Sequence, residues 1–380
     1  MDELKRFFSS KEDDYHKFTI KIGALTYQVS ADPGSVDYFV KLFYPSGANG
    51  IEIQKETEDE LEKQIIQFVP ITIDMFWSLE RFVRNQYVSQ GKCWPVKEGP
   101  YDVYTSGRET CFIQDYTDES SGKCVIYCNH TGYYIASVAE GARNFMVLAR
   151  FVREIAFRSL QNEQYVVLHS SCVEINGKGI LIVGNSGAGK TSLALTLCCF
   201  FNALYVANDR IMIKHNQNEL IGVPFGMPAK LNYGTLKSLS KDKDFRDWQL
   251  DIPFEEDETF YQYKGEKKLH ILPKELEQIV HIKLVPKTTL SAIIFPHISS
   301  NQTIVISERQ SQHILDENCF FYGDPVFVQD WLNLRNFPYS ESKEEFLFTM
   351  SQLPAYDVHF SVDQFRKCGE AVAHLVYGMR

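Results

Sequence analysis

The stretch Gly179-Ile180-Leu181-Ile182-Val183-Gly184-Asn185-Ser186-Gly187-Ala188-Gly189-Lys190-Thr191-Ser192 decides how the rest of the chain is read. Its first part is a short apolar run of the kind that forms a buried strand. From Gly184 to Thr191 it fits G-x-x-x-x-G-K-[ST], the Walker A phosphate-loop (P-loop) pattern, without a mismatch. The spacing has a physical reason. Gly184, Gly187 and Gly189 let the main chain turn tightly and bring its N–H groups against an anion. A helix starting near Lys190 aims the positive end of its dipole at the same place. Lys190 then reaches the β- and γ-phosphates of a nucleoside triphosphate, and Thr191 supplies a hydroxyl to Mg²⁺. Gly184 through Ser192 are the candidate nucleotide-binding residues.

Working outward, Tyr165–His169 and Ser171–Ile175 read as two more strands, and Asn176-Gly177 as the turn joining the second to the third. After the loop, Thr191–Phe201 reads as a helix with Leu193, Leu197 and Phe200 on one face. Leu204–Ala207 is a short buried strand that leads to Asn208 and Asp209. A helix near Leu231–Leu239, a strand at Leu290–Phe295 and a final helix from Val362 to Tyr377 complete this half. Strand, glycine loop, helix and strand in that order predict an α/β domain.

The first half carries no chemical motif. Residues 1–15 are polar and read as loose. Phe18–Ile22 and Leu25–Val29 alternate around Gly23 and read as strands. Val36–Tyr44, Glu56–Gln67 and Ile73–Tyr87 read as helices, and Val103–Ile135 as strands broken at Ser106-Gly107 and Asp115–Gly122. A helix over Glu140–Leu160 marks the boundary. The expected organisation is a mixed α/β N-terminal domain at 1–140 that binds substrate or a partner, a P-loop domain at 141–320, and a helical C-terminal segment at 321–380 packing on it.

Composition bounds the remaining possibilities. At 380 residues the chain is long enough for about two domains. Its net charge of −10 argues against a general nucleic-acid binder, which needs clustered Lys and Arg. The nearest basic cluster, Lys264, Lys267 and Lys268 in Tyr263–Lys268, reads as a solvated loop or a closure over the nucleotide or an acidic substrate. Nine cysteines, an odd number, give no disulfide framework, and Cys124 and Cys128 are spaced for neither a zinc knuckle nor a redox pair. There is no apolar signal region and no apolar stretch near the ~18–20 residues of a membrane span. The expectation is a cytoplasmic protein with no membrane or nucleic-acid partner; the oligomeric state, including a homo-oligomer, stays open.

Leu168-His169-Ser-Ser-Cys-Val-Glu-Ile-Asn-Gly-Lys-Gly-Ile-Leu-Ile-Val-Gly184 resembles the catalytic segment of the HPr kinase/phosphorylase family, as does the internal Ser186-Gly187 of the loop. Val206-Ala-Asn208-Asp209 resembles the family's Val-Ala-Asp-Asp. The likeness extends over about Leu168–Ile213. It implies an HPr kinase/phosphoenolpyruvate carboxykinase-type P-loop kinase core, with ATP and Mg²⁺ as cofactors. It also implies residue roles: His169 matches the active-site histidine, Asp209 the second acid of the pair on the Mg²⁺ side, and Lys190 the phosphate lysine. The catalytic candidates are thus His169, Asp209 and Lys190, and the metal candidates Thr191 and Asp209. One departure stands out. The family's first acid, its base toward the substrate hydroxyl, is Asn208 here, and an amide does not take up that proton. The base role then falls to Asp209 or His169, or transfer is inefficient. The family's Pro-Gly-Arg-Asn-rich C-terminal signature is also not evident, which leaves the family's carrier-protein substrate without support.

Weaker candidates are Arg210, which follows Asp209 and would neutralise phosphate charge; Glu219, a further metal-side acid or an exposed loop acid; and Pro224–Pro228, which would shape a substrate pocket. The resemblance implies an ATP-dependent phosphotransferase acting on a hydroxyl, of Ser or Thr in a peptide or protein or of a small molecule. The alternative is a nucleotide-binding switch or scaffold without efficient transfer. A carboxykinase ranks last, because no His, Lys and Asp cluster of the kind that holds its manganese is visible. ATP and GTP are not separated by these residues.

Overall fold

A computed structural model describes residues 2–10, 15–45, 47, 50–54, 63–96, 99–114, 123–138, 145–217, 219–239, 248, 250, 268–299, 303–309, 330–334 and 342–379. The chain forms two compact units. The first comprises Met1–Val40, Gly50–Ser159 and Gly323–Asn336; the second comprises Lys41–Asn49, Leu160–Tyr322 and Phe337–Arg380. One change of unit falls at 159/160, inside the helix expected over Glu140–Leu160.

The first unit is built on a sheet of β1 (His16–Ile22), β2 (Leu25–Ala31), β3 (Ile51–Gln54), β4 (Gln64–Ile71), β5 (Val88–Val96), β6 (Gly99–Ser106), β7 (Glu109–Gln114), β8 (Cys124–Asn129) and β9 (Gly132–Val138). Their order is β3-β1-β2-β4-β9-β8-β7-β6-β5, parallel at β2–β4 and β4–β9 and antiparallel elsewhere. Helices α1 (Asp2–Ser9), α2 (Pro33–Leu42), α3 (Ile73–Gln86) and α4 (Phe145–Asn162) accompany it. Helix α3 starts where the Thr72 side chain accepts from the Met75 N–H, and it buries Phe76, Leu79 and Val83. An oxygen-bearing cap followed by apolar residues at three- and four-residue steps is the pattern that specifies such a helix.

Three expectations fail in this unit. Residues 2–9 are helical, not loose: Leu4 and Phe8, four apart, share one face and are buried. The polar majority of that segment hides the apolar residues that dock it, Leu4 and Phe8 with part of Phe7. Of the helix expected over Glu56–Gln67, residues 56–62 lie outside the described residues, and from Gln64 the chain is strand β4. That strand is central, so its run of Ile66, Phe68 and Val69 is buried on both faces and shows no alternation. Strand β5 was not expected; it is an edge, and its exposed residues carry no buried pattern.

In the second unit the strands are β10 (Val166–Leu168), β11 (Ser170–Ile175), β12 (Lys178–Val183), β13 (Leu204–Ala207), β14 (Ile211–Asn216), β15 (Glu219–Pro224), β16 (Ala229–Leu231), β17 (Leu269–Ile271), β18 (Thr288–Ile298), β19 (Val305–Glu308) and β20 (Ala355–Phe360). The main sheet runs β10-β14-β15-β18-β12-β11-β13, and β20 joins it beside β18. Strands β12, β18 and β20 are mutually parallel. The helices here are α5 (Lys190–Phe201), α6 (Tyr233–Leu239), α7 (Pro273–Gln278), α8 (Lys343–Ser351) and α9 (Phe365–Gly378). The C-terminal residues thus contribute a strand of the main sheet as well as helices.

The apolar run of β12 is explained by its position. Ile180 and Ile182 enter a core with Leu193, Leu197, Phe360 and Val372 from α5, β20 and α9. Leu181 and Val183 enter the opposite core with Phe295, Phe346 and Met350. Each such side chain contributes about 1.5–3 kcal/mol through burial. The hairpin before it turns on Asn176 and Gly177, at φ 52° and 74°, the paired positive values of a type I′ turn. Together these features fix the end of β12, where the phosphate loop begins.

Candidate functional site

Between the end of β12 and the start of α5 the chain makes the loop expected from its glycines. Gly187 and Gly189 have φ of 82° and 92°, left-handed values that favour glycine. At Gly189 space is tight as well: a Cβ there would lie 3.0 Å from the Phe365 ring. Gly189 is the N-cap of α5, so no capping side chain covers the first-turn N–H groups. Lys190 folds back over the loop: its Nζ donates to the carbonyl oxygens of Gly184 at 2.7 Å and Asn185 at 3.1 Å. Ser192 turns elsewhere, its hydroxyl 2.6 Å from that of Thr235 on α6.

Two acceptor-bearing residues follow β13, and the fold gives them different partners. The Asn208 Oδ1 accepts from the Thr191 hydroxyl at 2.7 Å and from the Ser171 hydroxyl of β11 at 3.0 Å. Asn208 is buried, at 5% exposure, so its amide is held by those two donors rather than by water. The amide oxygen thereby does what a carboxylate would do toward Thr191, namely orient its hydroxyl.

Asp209 has other partners. Its φ is 67°, and the Arg210 N–H donates back to the Asn208 carbonyl at 2.8 Å, a tight turn with Asp209 at its centre. A non-glycine residue held in this region is strained, and such strain clusters where side-chain direction matters. The turn brings Asp209 Oδ1 to 3.5 Å from His169 Nε2, and Oδ2 to 3.9 Å from Arg210 Nε. Burial pushes the Asp209 carboxyl up. The hydrogen bond with His169 and the charges of Arg210, His169 and Lys230 outweigh it and hold the group well below the usual carboxylate range. Asp209 is thus an anion at any ordinary pH. His169 reaches it from the break between β10 and β11.

The expected site residues therefore form two linked clusters, Lys190 with the loop and Thr191–Asn208–Ser171 on one hand, His169–Asp209–Arg210 on the other. Thr191 is joined to Asn208, not to Asp209. Glu219 is exposed and pairs with Asn216 at the distal turn of the β14–β15 hairpin, whereas Pro224 pairs with Ile211 at the end nearest Asp209. Pro224, Phe225 and Met227 line a small apolar pocket together with Asn208 and Val285. The Arg210 guanidinium lies 5.8 Å from the Phe225 ring centroid. Of the basic loop, residues 263–267 lie outside the described residues. Among the described residues no group of three or more His, Cys, Asp or Glu is placed to hold a metal. Ser171 and Lys230 escaped the sequence reading; a buried serine two residues after His169 carries no signal until its partner is known.

Residues 160–231 match the family model of the HPr serine kinase C-terminal domain. Over 54 residues the chain is 41% identical to an HPr kinase/phosphorylase from Mycoplasma mycoides subsp. mycoides SC, a stretch that is 14% of this chain and 17% of that protein. The chain thus aligns with less than a fifth of the length of the curated relative it matches. Among solved structures, the Hpr(Ser) kinase/phosphatase from Coxiella burnetii is 14% identical with a TM-score of 0.26, covering 56% of this chain and 93% of that one, a likeness too slight to bear on the fold. The matched segment spans β10 to β16 and contains the phosphate loop, His169, Asn208 and Asp209.

Proposed function

We propose, on the premise that the protein is HPr kinase-related through residues 160–231, that it is an ATP-dependent kinase transferring the γ-phosphate to a hydroxyl group, of Ser or Thr in a peptide or protein. The observation that carries this reading is the convergence at one end of the loop: Thr191 on Asn208, and His169 on Asp209. In a loose phosphoryl-transfer transition state, positioning and charge neutralisation dominate. The main-chain N–H groups of the loop hold phosphate oxygens. Lys190 exchanges its two loop carbonyls for phosphate oxygens. Thr191, oriented by Asn208, and an acid of this cluster would hold Mg²⁺, which supplies charge neutralisation when bound. The acceptor hydroxyl gives up its proton to the His169–Asp209 pair. Because Asp209 stays ionised, it acts by orienting the imidazole and stabilising it once charged, with His169 as the acceptor.

A second reading, nucleotide binding without efficient transfer, is favoured by one observation, the amide at Asn208. Incubation with γ-labelled ATP and a peptide pool separates the two. Label in a peptide with wild type and none with Asp209→Asn supports the kinase. Tight nucleotide binding with neither transfer nor hydrolysis supports the switch.

A further inference from the structure

Outside the cluster described above, a second group of polar side chains stands at the carboxyl ends of the parallel strands. His297 on β18 pairs in register with His359 on β20, and their rings stack with centroids 4.6 Å apart at 15°. Asp357, two residues before His359 and so on the same face, lies with its Oδ1 2.6 Å from His297 Nε2. The same oxygen accepts from Arg309 Nη1 at 2.9 Å. The Arg309 guanidinium in turn covers the Phe295 ring at 4.0 Å. The His297 side chain is 42% exposed and that of Asp357 22%, so the group is built into the sheet yet open to solvent.

Its place relative to the loop follows from register. Ile182 of β12 pairs with Ile294 of β18; two residues further on, Gly184 is level with Pro296. A Cβ on Gly184 would indeed lie 3.9 Å from the Pro296 carbonyl oxygen. His297 is therefore the strand residue beside the mouth of the loop. The loop has two sides. Strands β11 and β13, with Ser171, Asn208 and the Thr191 hydroxyl, stand on one. Strands β18 and β20 stand on the other. A triphosphate whose terminal group meets Thr191 and Asn208 leaves the loop toward β18 and β20. Ligands of open α/β sheets sit at the carboxyl ends of the strands.

We infer that His297, His359 and Asp357, braced by Arg309, receive the nucleoside end of the nucleotide, its base and ribose; this rests on the kinase reading above. The exposed imidazole face offers a stacking surface for a base. Among the described residues both contacts to Asp357 fall on Oδ1, which leaves Oδ2 as an acceptor for ribose hydroxyls, the role an acidic residue plays toward ribose in other nucleotide sites.

The test compares Mg-ATP with Mg-tripolyphosphate, which has the phosphates but no nucleoside, by calorimetric titration of the full chain. Wild type is expected to bind Mg-ATP at least tenfold more tightly than Mg-tripolyphosphate. His297→Ala should erase most of that advantage while its affinity for tripolyphosphate changes less than twofold, and His297→Phe, which keeps a stacking face, should retain most of it. Retained tripolyphosphate binding shows that the variant is folded at the loop. Equal binding of the two ligands by wild type overturns the subsite and leaves the loop reading intact, as does an unchanged ATP preference in His297→Ala. A parallel loss of both ligands in His297→Ala also overturns it, since the residue would then serve the loop. Binding of neither ligand by wild type removes the kinase reading and the subsite with it.

Discussion

Lys190 spends its charge on two carbonyl oxygens of its own loop, a placement that makes sense for a cation awaiting an anion. An ammonium is attracted more strongly to an anionic phosphate oxygen than to a neutral carbonyl, so the exchange is favourable once a nucleotide arrives. In a thermal-shift experiment Mg-ATP should raise the melting temperature of wild type and leave that of Lys190→Ala unmoved; equal shifts would remove the loop from nucleotide binding. Asp209 gives a prediction in pH. Its carboxyl titrates lower in the folded chain than in the unfolded one. The resulting stabilisation is complete above about pH 5, past the unfolded value of ~3.9, and is lost as pH falls toward the folded value. Urea midpoints of wild type and Asp209→Asn should therefore differ by a constant amount above about pH 5 and draw together progressively as pH falls below about 4. A difference that widens on acidification would contradict the ionised pair. At this scale the sequence shows residues whose spacing is local: Gly184–Thr191 is legible because one turn and one helix start need those residue types in that order. The Thr191–Asn208–Ser171 contact is not, because it joins three elements. Nor does any local pattern reveal the positive φ at Asp209 or its approach to His169.

Elements are legible where period and punctuation agree. Helix α3 has a capping threonine and an apolar stripe, β12 a glycine-bounded apolar run, and the β11–β12 turn an Asn-Gly pair. They fail to be legible where few residues decide the outcome. Among the described residues, helix α1 packs Leu4, Phe8 and part of Phe7 on the core, and the Gln67 side chain donates to the Phe8 carbonyl at 3.0 Å. Eight residues are too few for an isolated helix to persist in water, so tertiary packing must supply its stability. Phe8→Ala should then cost about 3–5 kcal/mol in denaturant unfolding, the range for a buried aromatic. Phe348→Ala, at a site 68% exposed, should cost less than about 0.5 kcal/mol. Equal and small costs would mean that α1 is not docked. Strand β4 teaches the converse: a central strand loses the alternation by which strands are recognised, and the acidic residues before it supply a helical texture in its place.

At the scale of the whole molecule, the described site residues belong to the second unit, and the core beneath them reaches beyond the family-matched residues. The core under the loop packs Leu193 and Leu197 of α5 against Ala292, Ile294, Phe360 and Val372, four residues that all lie beyond position 231, where the match ends. Nucleotide held at the loop should stabilise this core as a body, because opening any part of it frees the ligand. The stabilisation is RT ln(1 + [L]/Kd), about 2.7 kcal/mol at a hundredfold excess over Kd. Amide hydrogen exchange in Mg-ATP should slow in Gly184–Ser192 and in the segment around Asn208, and also in β18, β20 and α9, whereas β1 to β9 of the first unit should exchange as before. Slowing confined to the loop itself would show that the later strands and α9 open independently of it. Equal slowing across β1 to β9 would show that the two units respond to nucleotide as a single cooperative body.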